Sequence, residues 1–254
     1  MTIAGHPEAV RQGRAVTVRA AELVVNCLAD GAACALSTED VAALATHLVV
    51  RKLHPGQVVF ASDQLPDGVW IVLSGAVELM VGTGKNPVVA QVLRDGDLFG
   101  DILLLIDRVS PYHSRVVRGT TCLWLAASDF LRLLADRPAI ARLWLRSCAA
   151  RHVDSQTRLL GLLDGSLAQR TAVLLLCEAR AGVVALSQAT LAAMLGSPRP
   201  SVNRVLRMFQ QQGLITLNYG RLCIVDEVRL RQAARGVPAT NCPTHRRRSV
   251  TRKG

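Results

Sequence analysis

The 254-residue chain is half apolar, so it can bury the core of one large domain or two ordinary ones. Its formal net charge of +11 is uneven, because residues 1–158 carry 16 Lys/Arg against 15 Asp/Glu and residues 159–254 carry 14 against 4. The short apolar stretches exclude a membrane span, and seven cysteines without a C-x-x-C pair exclude a zinc ribbon or a small disulfide scaffold. Nothing at the N-terminus resembles a signal peptide, so we expect a cytoplasmic protein with reduced cysteines.

The uneven charge bears on the kind of partner. A neutral body with a basic end is typical of a protein whose end meets a polyanion, and nucleic acid is the first candidate. A compositional preference for Arg, which outnumbers Lys 27 to 3, is the alternative source of the charge. The motifs near the basic end distinguish nucleic-acid binding from a compositional preference for Arg.

The first 50 residues divide into an extension and a helix. Residues 1–36 form an Ala/Val-rich N-terminal extension without a clear anchor. Ser37 then offers a capping hydroxyl, and Glu39 and Asp40 place acids in the first turn. This pattern predicts a helix that begins after Ser37.

From about residue 53 to residue 125 the pattern changes to short β-rich runs separated by glycines. The candidate strands are Val58–Phe60, Val69–Leu73, Val77–Val81, Val88–Leu93 and Arg115–Val117, and the glycines between them are Gly56, Gly75, Gly82, Gly84, Gly96 and Gly100. Regular short strands with turn signals are typical of an antiparallel sandwich or barrel. We therefore expect one antiparallel β-domain here.

Pro138 begins a long helical segment, predicted over residues 138–163. A heptad stripe runs along it, made by Ala141, Leu145, Cys148, His152, Ser155, Leu159 and Leu162. Self-association through this stripe is the favoured interpretation, and packing of the stripe on the chain's own β-domain is the alternative. His152 and Ser155 make the middle of the stripe polar.

Residues 186–211 predict a helix-turn-helix. Ser187 caps a short helix, and Gly196 permits the tight turn to a second helix. One face of the second helix is apolar, and the other presents Arg199, Ser201, Asn203, Arg204 and Arg207. Arg pairs with guanine, Asn with adenine, and Ser or Arg with phosphate, so this face predicts a recognition helix in a DNA major groove.

A wing follows the helix-turn-helix. Residues 216–225 predict two short strands around a turn at residues 218–221. A helix-turn-helix pattern that stands alone also fits an ordinary packing hairpin. Here it is joined by a wing, a polar outer face and a basic domain, so we interpret residues 164–234 as a winged helix-turn-helix domain that binds double-stranded DNA.

Over residues 38–230 the chain resembles the Crp/Fnr family of bacterial transcription regulators. The segments that carry the resemblance are the β-roll pattern Gly56, Gly75, Gly96 and Phe99-Gly100, and the DNA-reading motif from Leu195-Gly196 to Leu206. The resemblance implies an α+β fold with a jelly-roll-like antiparallel β-roll in residues 37–137 and a dimerisation helix in residues 138–163. It also implies a dimeric, sequence-specific regulator that binds a pseudo-palindromic operator, with RNA polymerase as a further partner.

By this resemblance Arg199 and Arg204 contact guanines, while Ser201 and Asn203 make secondary base or phosphate contacts. Pro200 departs from the family pattern, since many members carry a Glu there that reads a cytosine. Pro cannot make that contact, so the resemblance does not define the half-site sequence. The complete set of predicted DNA-binding residues is Ser187, Gln188, Ser197, Arg199, Ser201, Asn203, Arg204 and Arg207.

The resemblance also implies an effector site. Members that bind cyclic AMP carry a cassette in which a Glu holds a ribose hydroxyl and an Arg neutralises the cyclic phosphate. Here Asp101 replaces that Glu and His113 replaces that Arg, while Arg115 on the same strand face could supply the missing charge. The implied effector-binding residues are Gly100, Asp101, Ile102, His113, Ser114, Arg115, Ser155 and Gln156. These departures leave three alternatives: cyclic AMP, a different effector, or an unliganded roll.

A second class of function stays open beside the regulator. It is a cyclic-nucleotide sensor whose basic domain binds a protein partner or RNA, and such a protein would select no duplex sequence. We expect no enzyme, because no paired carboxylates, Ser/His/Asp arrangement, phosphate-cradling glycine loop or metal spacing occurs. Cys27 and Cys34 alone do not supply an iron–sulfur cluster. Residues 235–254 are expected to be a disordered basic tail.

Overall fold

The computed structural model describes residues 7–29, 36–82, 88–163, 165–218 and 221–234. The predicted tail, residues 235–254, lies outside the described residues. The chain divides into two compact units, one from residues 1–81 with 90–148 and one from residues 82–89 with 149–254. Helices accompany an antiparallel sheet in the first unit and a small three-stranded sheet in the second, so the predicted α+β class is confirmed. Among the described helices, none combines the length and the apolar character that a membrane crossing requires.

The elements up to the long helix are α1 (Pro7–Ala29), α2 (Thr38–His47), β1 (Val49–Leu53), β2 (Gly68–Val81), β3 (Val88–Leu93), β4 (Leu98–Phe99), α3 (Asp101–Leu105), β5 (His113–Ala126), α4 (Ala127–Asp136) and α5 (Pro138–Leu163). The sheet has the order β1-β5-β2-β3, with β4 paired to β2. Ser37 caps α2 as predicted, since its side chain accepts a hydrogen bond from the Asp40 backbone N–H. Pro138 opens α5, where its missing N–H costs no helical hydrogen bond.

Two predicted strands are one strand in the structure. Residues 69–73 and 77–81 both belong to β2, and Gly75 between them is a bulge rather than a turn. Its φ of 113° and the side chain of Thr120, 2.3 Å from where a Cβ would lie, both require glycine. The predicted strand at residues 58–60 is wrong, because only Val58 forms an isolated bridge, with Arg115.

The N-terminal extension has an anchor that the sequence interpretation missed. Helix α1 buries Ala20, Ala21, Val24 and Leu28 in a core shared with α2, α4 and the start of α5. These residues recur at helical spacing, which is the signal that could have predicted the contact. In the same core the rings of Phe130 and Trp144 lie 4.9 Å apart. Pairs of this geometry add about 0.5–1.5 kcal/mol to the gain from burial.

The interior of the β-roll forms a second core, rich in aromatic residues. Phe99 packs between Phe60 and Trp70, with ring centroids 5.7 and 6.3 Å away. Cys122 is fully buried among them, and burial raises the pKa of its thiol to about 12. Cys122 is therefore a packing residue at neutral pH.

The second unit contains α6 (Leu167–Glu178), β6 (Val183–Val184), α7 (Gln188–Met194), α8 (Arg199–Gln211), β7 (Ile215–Asn218), β8 (Arg221–Ile224) and α9 (Glu227–Ala233). Its three strands have the order β6-β8-β7. Ser166 caps α6 through a capping box with Gln169, which satisfies two backbone N–H groups. Leu174 of α6, Leu191 of α7 and Leu206 of α8 are fully buried.

Candidate nucleic-acid interface and effector cassette

Helix α7 and the turn after it orient the helix that follows. The Ser187 side chain accepts a hydrogen bond from the Thr190 backbone N–H at 3.0 Å, so the predicted cap is present. Gly196 has a φ of 56°, in the left-handed region that favours glycine. Ser197 donates a hydrogen bond from its hydroxyl to the Leu195 carbonyl, 3.1 Å away. The hydroxyl of Ser197 is thus already engaged within the turn.

Helix α8 separates an apolar face from a polar one. Val202, Leu206 and Phe209 are buried and fix the helix on the body of the unit. The opposite face carries a shallow groove lined by Arg199, Pro200, Asn203, Arg204, Arg207, Met208 and Gln211. Four of the predicted DNA-binding residues therefore line one groove. Ser187, Gln188, Ser197 and Ser201 are not among its lining residues.

The groove is strongly cationic. Arg199, Arg204 and Arg207 are exposed, and none of them pairs with a carboxylate in the described part of the chain. Met208 and Gln211 lie four and seven residues after Arg204, so the helical period could have added them to the predicted face. Three exposed guanidiniums on one rigid helix can bind phosphates and guanine edges together.

The wing is present beside the helix-turn-helix. Strands β7 and β8 pair antiparallel from Ile215 opposite Ile224 to Asn218 opposite Arg221. The two residues at the tip of the predicted turn, 219 and 220, lie outside the described residues. Arg221, which the sequence analysis did not single out, is exposed at the start of β8 and adds a cation to the wing.

Asp101, the counterpart of the ribose-binding Glu, is engaged inside the protein. It begins α3 and is 1% exposed. The Trp144 indole N–H donates a hydrogen bond to Asp101 Oδ2 at 2.9 Å, and the Cys148 thiol lies 3.8 Å from the same oxygen. Gly100 before it has a φ of 90°, and a Cβ there would lie 2.6 Å from the Gly68 carbonyl oxygen. This close packing holds the carboxylate against the first turns of α5.

The distal end of the cassette is also bonded internally. His113 Nδ1 accepts a hydrogen bond from the Ser62 backbone N–H at 3.2 Å, and its Nε2 lies 3.3 Å from the Ser62 hydroxyl. Ser114 is fully buried and bonds to both the N–H and the carbonyl of Phe60. Arg115 lies 3.1 Å from the buried carboxylate of Glu78. Each polar group here has a partner.

The other implied effector residues are exposed. Ile102 is on the outer side of α3. Ser155 and Gln156 are exposed on the part of α5 that belongs to the second unit.

Comparisons with known proteins match the β-roll and the helix-turn-helix to two known domain families. Residues 50–137 match the family model of the cyclic nucleotide-binding domain, and residues 169–233 match that of the Crp-like helix-turn-helix domain. The HTH-type transcriptional regulator Cmr of Mycobacterium tuberculosis is 45% identical over 217 residues, which are 85% of this chain and 89% of Cmr. The chain belongs to the Crp/Fnr family of transcription regulators. The predicted family and the predicted function as a DNA-binding transcription regulator are confirmed.

Two further relatives extend the comparison. The cyclic AMP receptor protein of Thermus thermophilus is 30% identical over 200 residues, which cover 76% of this regulator and 92% of the relative. A Crp/Fnr-family protein from Eubacterium rectale has a similar structure, with a TM-score of 0.60, 22% identity, and coverage of 79% of this regulator and 95% of that chain. At this identity the structural likeness supports the fold alone.

The cassette of this regulator does not fit the anion that a cyclic nucleotide brings. Asp101 accepts a hydrogen bond from Trp144, His113 is bonded to Ser62, and Arg115 is paired with Glu78. A cyclic phosphate placed against His113 and Arg115 would lose its hydration while the guanidinium of Arg115 is already paired with Glu78, which is unfavourable.

Proposed function

We propose that this regulator binds a pseudo-palindromic operator as a homodimer and reads each half-site with helix α8. The observation that carries the proposal is the groove of α8, where three exposed Arg side chains have no carboxylate partner in the described chain. Charges left unpaired on a rigid helix can bind a polyanion without first breaking an internal salt bridge. A cytoplasmic location follows from this function, since the operator must be within reach.

Each residue of the groove has a proposed role. Arg199 and Arg204 pair with guanine O6 and N7, and Asn203, one position before Arg204, contacts adenine or phosphate. Arg207 lies at the next turn of the same face and is suited to phosphate. Ser187, Gln188 and Ser201 are proposed as contacts to the DNA backbone, and Ser197 joins them only by exchanging its hydrogen bond to the Leu195 carbonyl for one to a phosphate. RNA polymerase is proposed as the protein partner through which operator binding changes transcription.

The proposed dimer rests on the exposed apolar face of α5. Leu145 is 69% exposed and Leu159 is 55% exposed, and Val153, Leu160 and Leu163 are also exposed. By contrast, Ile140, Leu143 and Trp144 near the start of the helix are buried in the first unit. Large apolar side chains left in water along one helix are expected to pack against a second copy. Leu145 lies in the first unit with the β-domain and is not covered by it.

We further propose that operator binding does not depend on cyclic AMP. The misfit of the cassette to a cyclic phosphate supports this part of the proposal. The cassette helix α3 is already joined to α5 by the Asp101–Trp144 hydrogen bond, so a ligand is not needed to make that connection.

Selection of duplex DNA from a random pool by the purified full-length protein, at one fixed salt concentration, tests the proposal. The expected result is an enriched palindrome whose affinity is the same with and without cyclic AMP. An enriched palindrome that cyclic AMP strengthens would keep the regulator and overturn the effector part. If no duplex sequence is enriched, the proposed operator recognition is wrong, and a basic domain that binds RNA or protein becomes the better account.

A further inference from the structure

Pro200 is an exposed apolar residue inside a groove whose other side chains are mostly polar. It is the second residue of α8, and it lines the groove next to Arg199, Asn203 and Arg204. Asn203 and Arg204 follow it by three and four residues, so the three side chains lie on one face of the helix. A helix that enters the major groove with Arg204 against a base edge therefore brings the Pro200 ring to a neighbouring base pair.

The first turn of α8 offers little to a phosphate. A helix N-terminus normally presents several free N–H groups that bind anions. Here Pro200 has no N–H, and the N–H groups of Ser201 and Val202 both donate to the Pro198 carbonyl, at 3.0 and 3.2 Å. No side chain caps this end either. The exposed surface at Pro200 consists of ring methylenes, so a base edge is a better partner for it than the sugar–phosphate backbone.

Only one feature of the major groove matches that surface. Every base pair presents hydrogen-bond donors and acceptors there, but only thymine adds an apolar group, its C5 methyl. A proline placed against the amino group of cytosine would leave that donor without a partner, whereas against thymine it buries a methyl group.

From this geometry we propose that Pro200 is a specificity-determining residue, which selects a thymine at the base pair beside the one read by Arg204. The inference rests on the proposed use of α8 as the base-reading helix. Pro200 then contributes a contact to thymine, whereas the family pattern alone indicates only the loss of a contact to cytosine.

Replacement of thymine by deoxyuridine tests the inference, since deoxyuridine keeps the pairing edge and lacks only the methyl group. Each thymine of the selected operator is replaced in turn, in both half-sites, and affinity is measured with the full-length protein. We expect one position at which the loss is about fourfold per half-site, the value for one buried methyl-sized group. With Pro200→Gly the loss at that position should vanish.

A second variant is expected to gain a preference for a different base. Pro200→Glu places a carboxylate where it can accept a hydrogen bond from the cytosine amino group, so the preferred base at the same position should change from thymine to cytosine. Pro198→Gly is the matched control, because Pro198 is exposed two residues earlier and does not line the groove. The control should keep the deoxyuridine profile of the unmodified protein.

The outcomes separate this inference from the proposed function. An operator that is enriched and loses discrimination with Arg204→Ala, but tolerates deoxyuridine everywhere, would overturn the role of Pro200 and keep the role of α8. A Pro200→Glu protein that binds all sequences equally less well, with an unchanged melting temperature, would overturn it too. Failure to enrich any duplex would remove the proposed function and this inference with it.

Discussion

Recognition helix α8 and the cassette made by α3 and the start of β5 carry similar side chains in opposite states. On α8, Arg199, Arg204 and Arg207 are exposed and have no carboxylate partner among the described residues. In the cassette, the carboxylate of Asp101 and the guanidinium of Arg115 each have a partner within the same unit. The difference teaches that residue type alone does not make a binding site, because a polar group that is already bonded must lose that bond before it can hold a ligand.

The largest expected effect concerns the apolar face of α5, whose side chains are exposed like the Arg side chains of α8. Leu145→Glu combined with Leu159→Glu should raise the dimer dissociation constant more than roughly a hundredfold, because two carboxylates would be removed from water. Sedimentation equilibrium measures the constant. Leu131→Glu, at an exposed Leu on α4, is the control and should leave it unchanged. Dimers that persist in the double variant would place the interface elsewhere.

The next effect tests whether the exposed Arg side chains of α8 bind DNA. Arg204→Ala should lose discrimination at one guanine and weaken binding by about 1–3 kcal/mol per half-site, roughly 5- to 150-fold. Fluorescence anisotropy on a series of operators with single base changes measures this loss. Arg132→Ala removes the same charge from α4 in the first unit and should have little effect. Equal weakening on every sequence would make Arg204 a phosphate contact instead.

A smaller effect tests the internal hydrogen bond of the cassette, between Trp144 and Asp101. Trp144→Phe removes the donor to the buried Asp101 carboxylate, so the free energy of unfolding should fall by about 1–3 kcal/mol. Trp124→Phe is a matched control, since the buried Trp124 indole N–H has no hydrogen-bond partner among the described residues. Urea unfolding compares the two variants. Equal losses would show that ring packing, rather than the hydrogen bond to Asp101, matters at Trp144.

The smallest expected effect is the absence of a response to cyclic AMP. Millimolar cyclic AMP should leave the melting temperature of the protein unchanged, because Arg115 is already paired with Glu78. Glu78→Gln, which removes the negative charge opposite the guanidinium of Arg115, sharpens the test and should allow a stabilising shift. A shift in the unmodified protein would show that the cassette rearranges to accept the nucleotide.

Much of the fold follows from local sequence signals. Ser37 and Ser187 each cap a helix as predicted, because a cap depends on atoms within three residues along the chain. At Gly75 the sequence pattern predicts a turn, since only the approach of Thr120 from the neighbouring strand distinguishes a bulge from a turn. The burial of α1 is indicated by the helical spacing of its apolar residues, but only the folded core shows that this face packs with α2, α4 and α5.

The candidate sites divide in the same way. Four of the predicted DNA-binding residues line one groove, because helical periodicity alone assigns residues to a face. The sequence of the cassette does not show whether its polar groups are available, since the hydrogen-bond partner of Asp101 is Trp144, 43 residues later in the chain.

The sequence by itself determined the family, the α+β class and the polar face of the recognition helix, because these depend on local patterns and short spacings. Only the tertiary structure decided which polar groups are free to act. Asp101, His113 and Arg115 are bonded within the first unit, whereas Arg199 and Arg204 remain exposed. The physical reason is that a hydrogen bond between distant segments exists only once the chain has folded, and it then determines whether a side chain is available to a ligand.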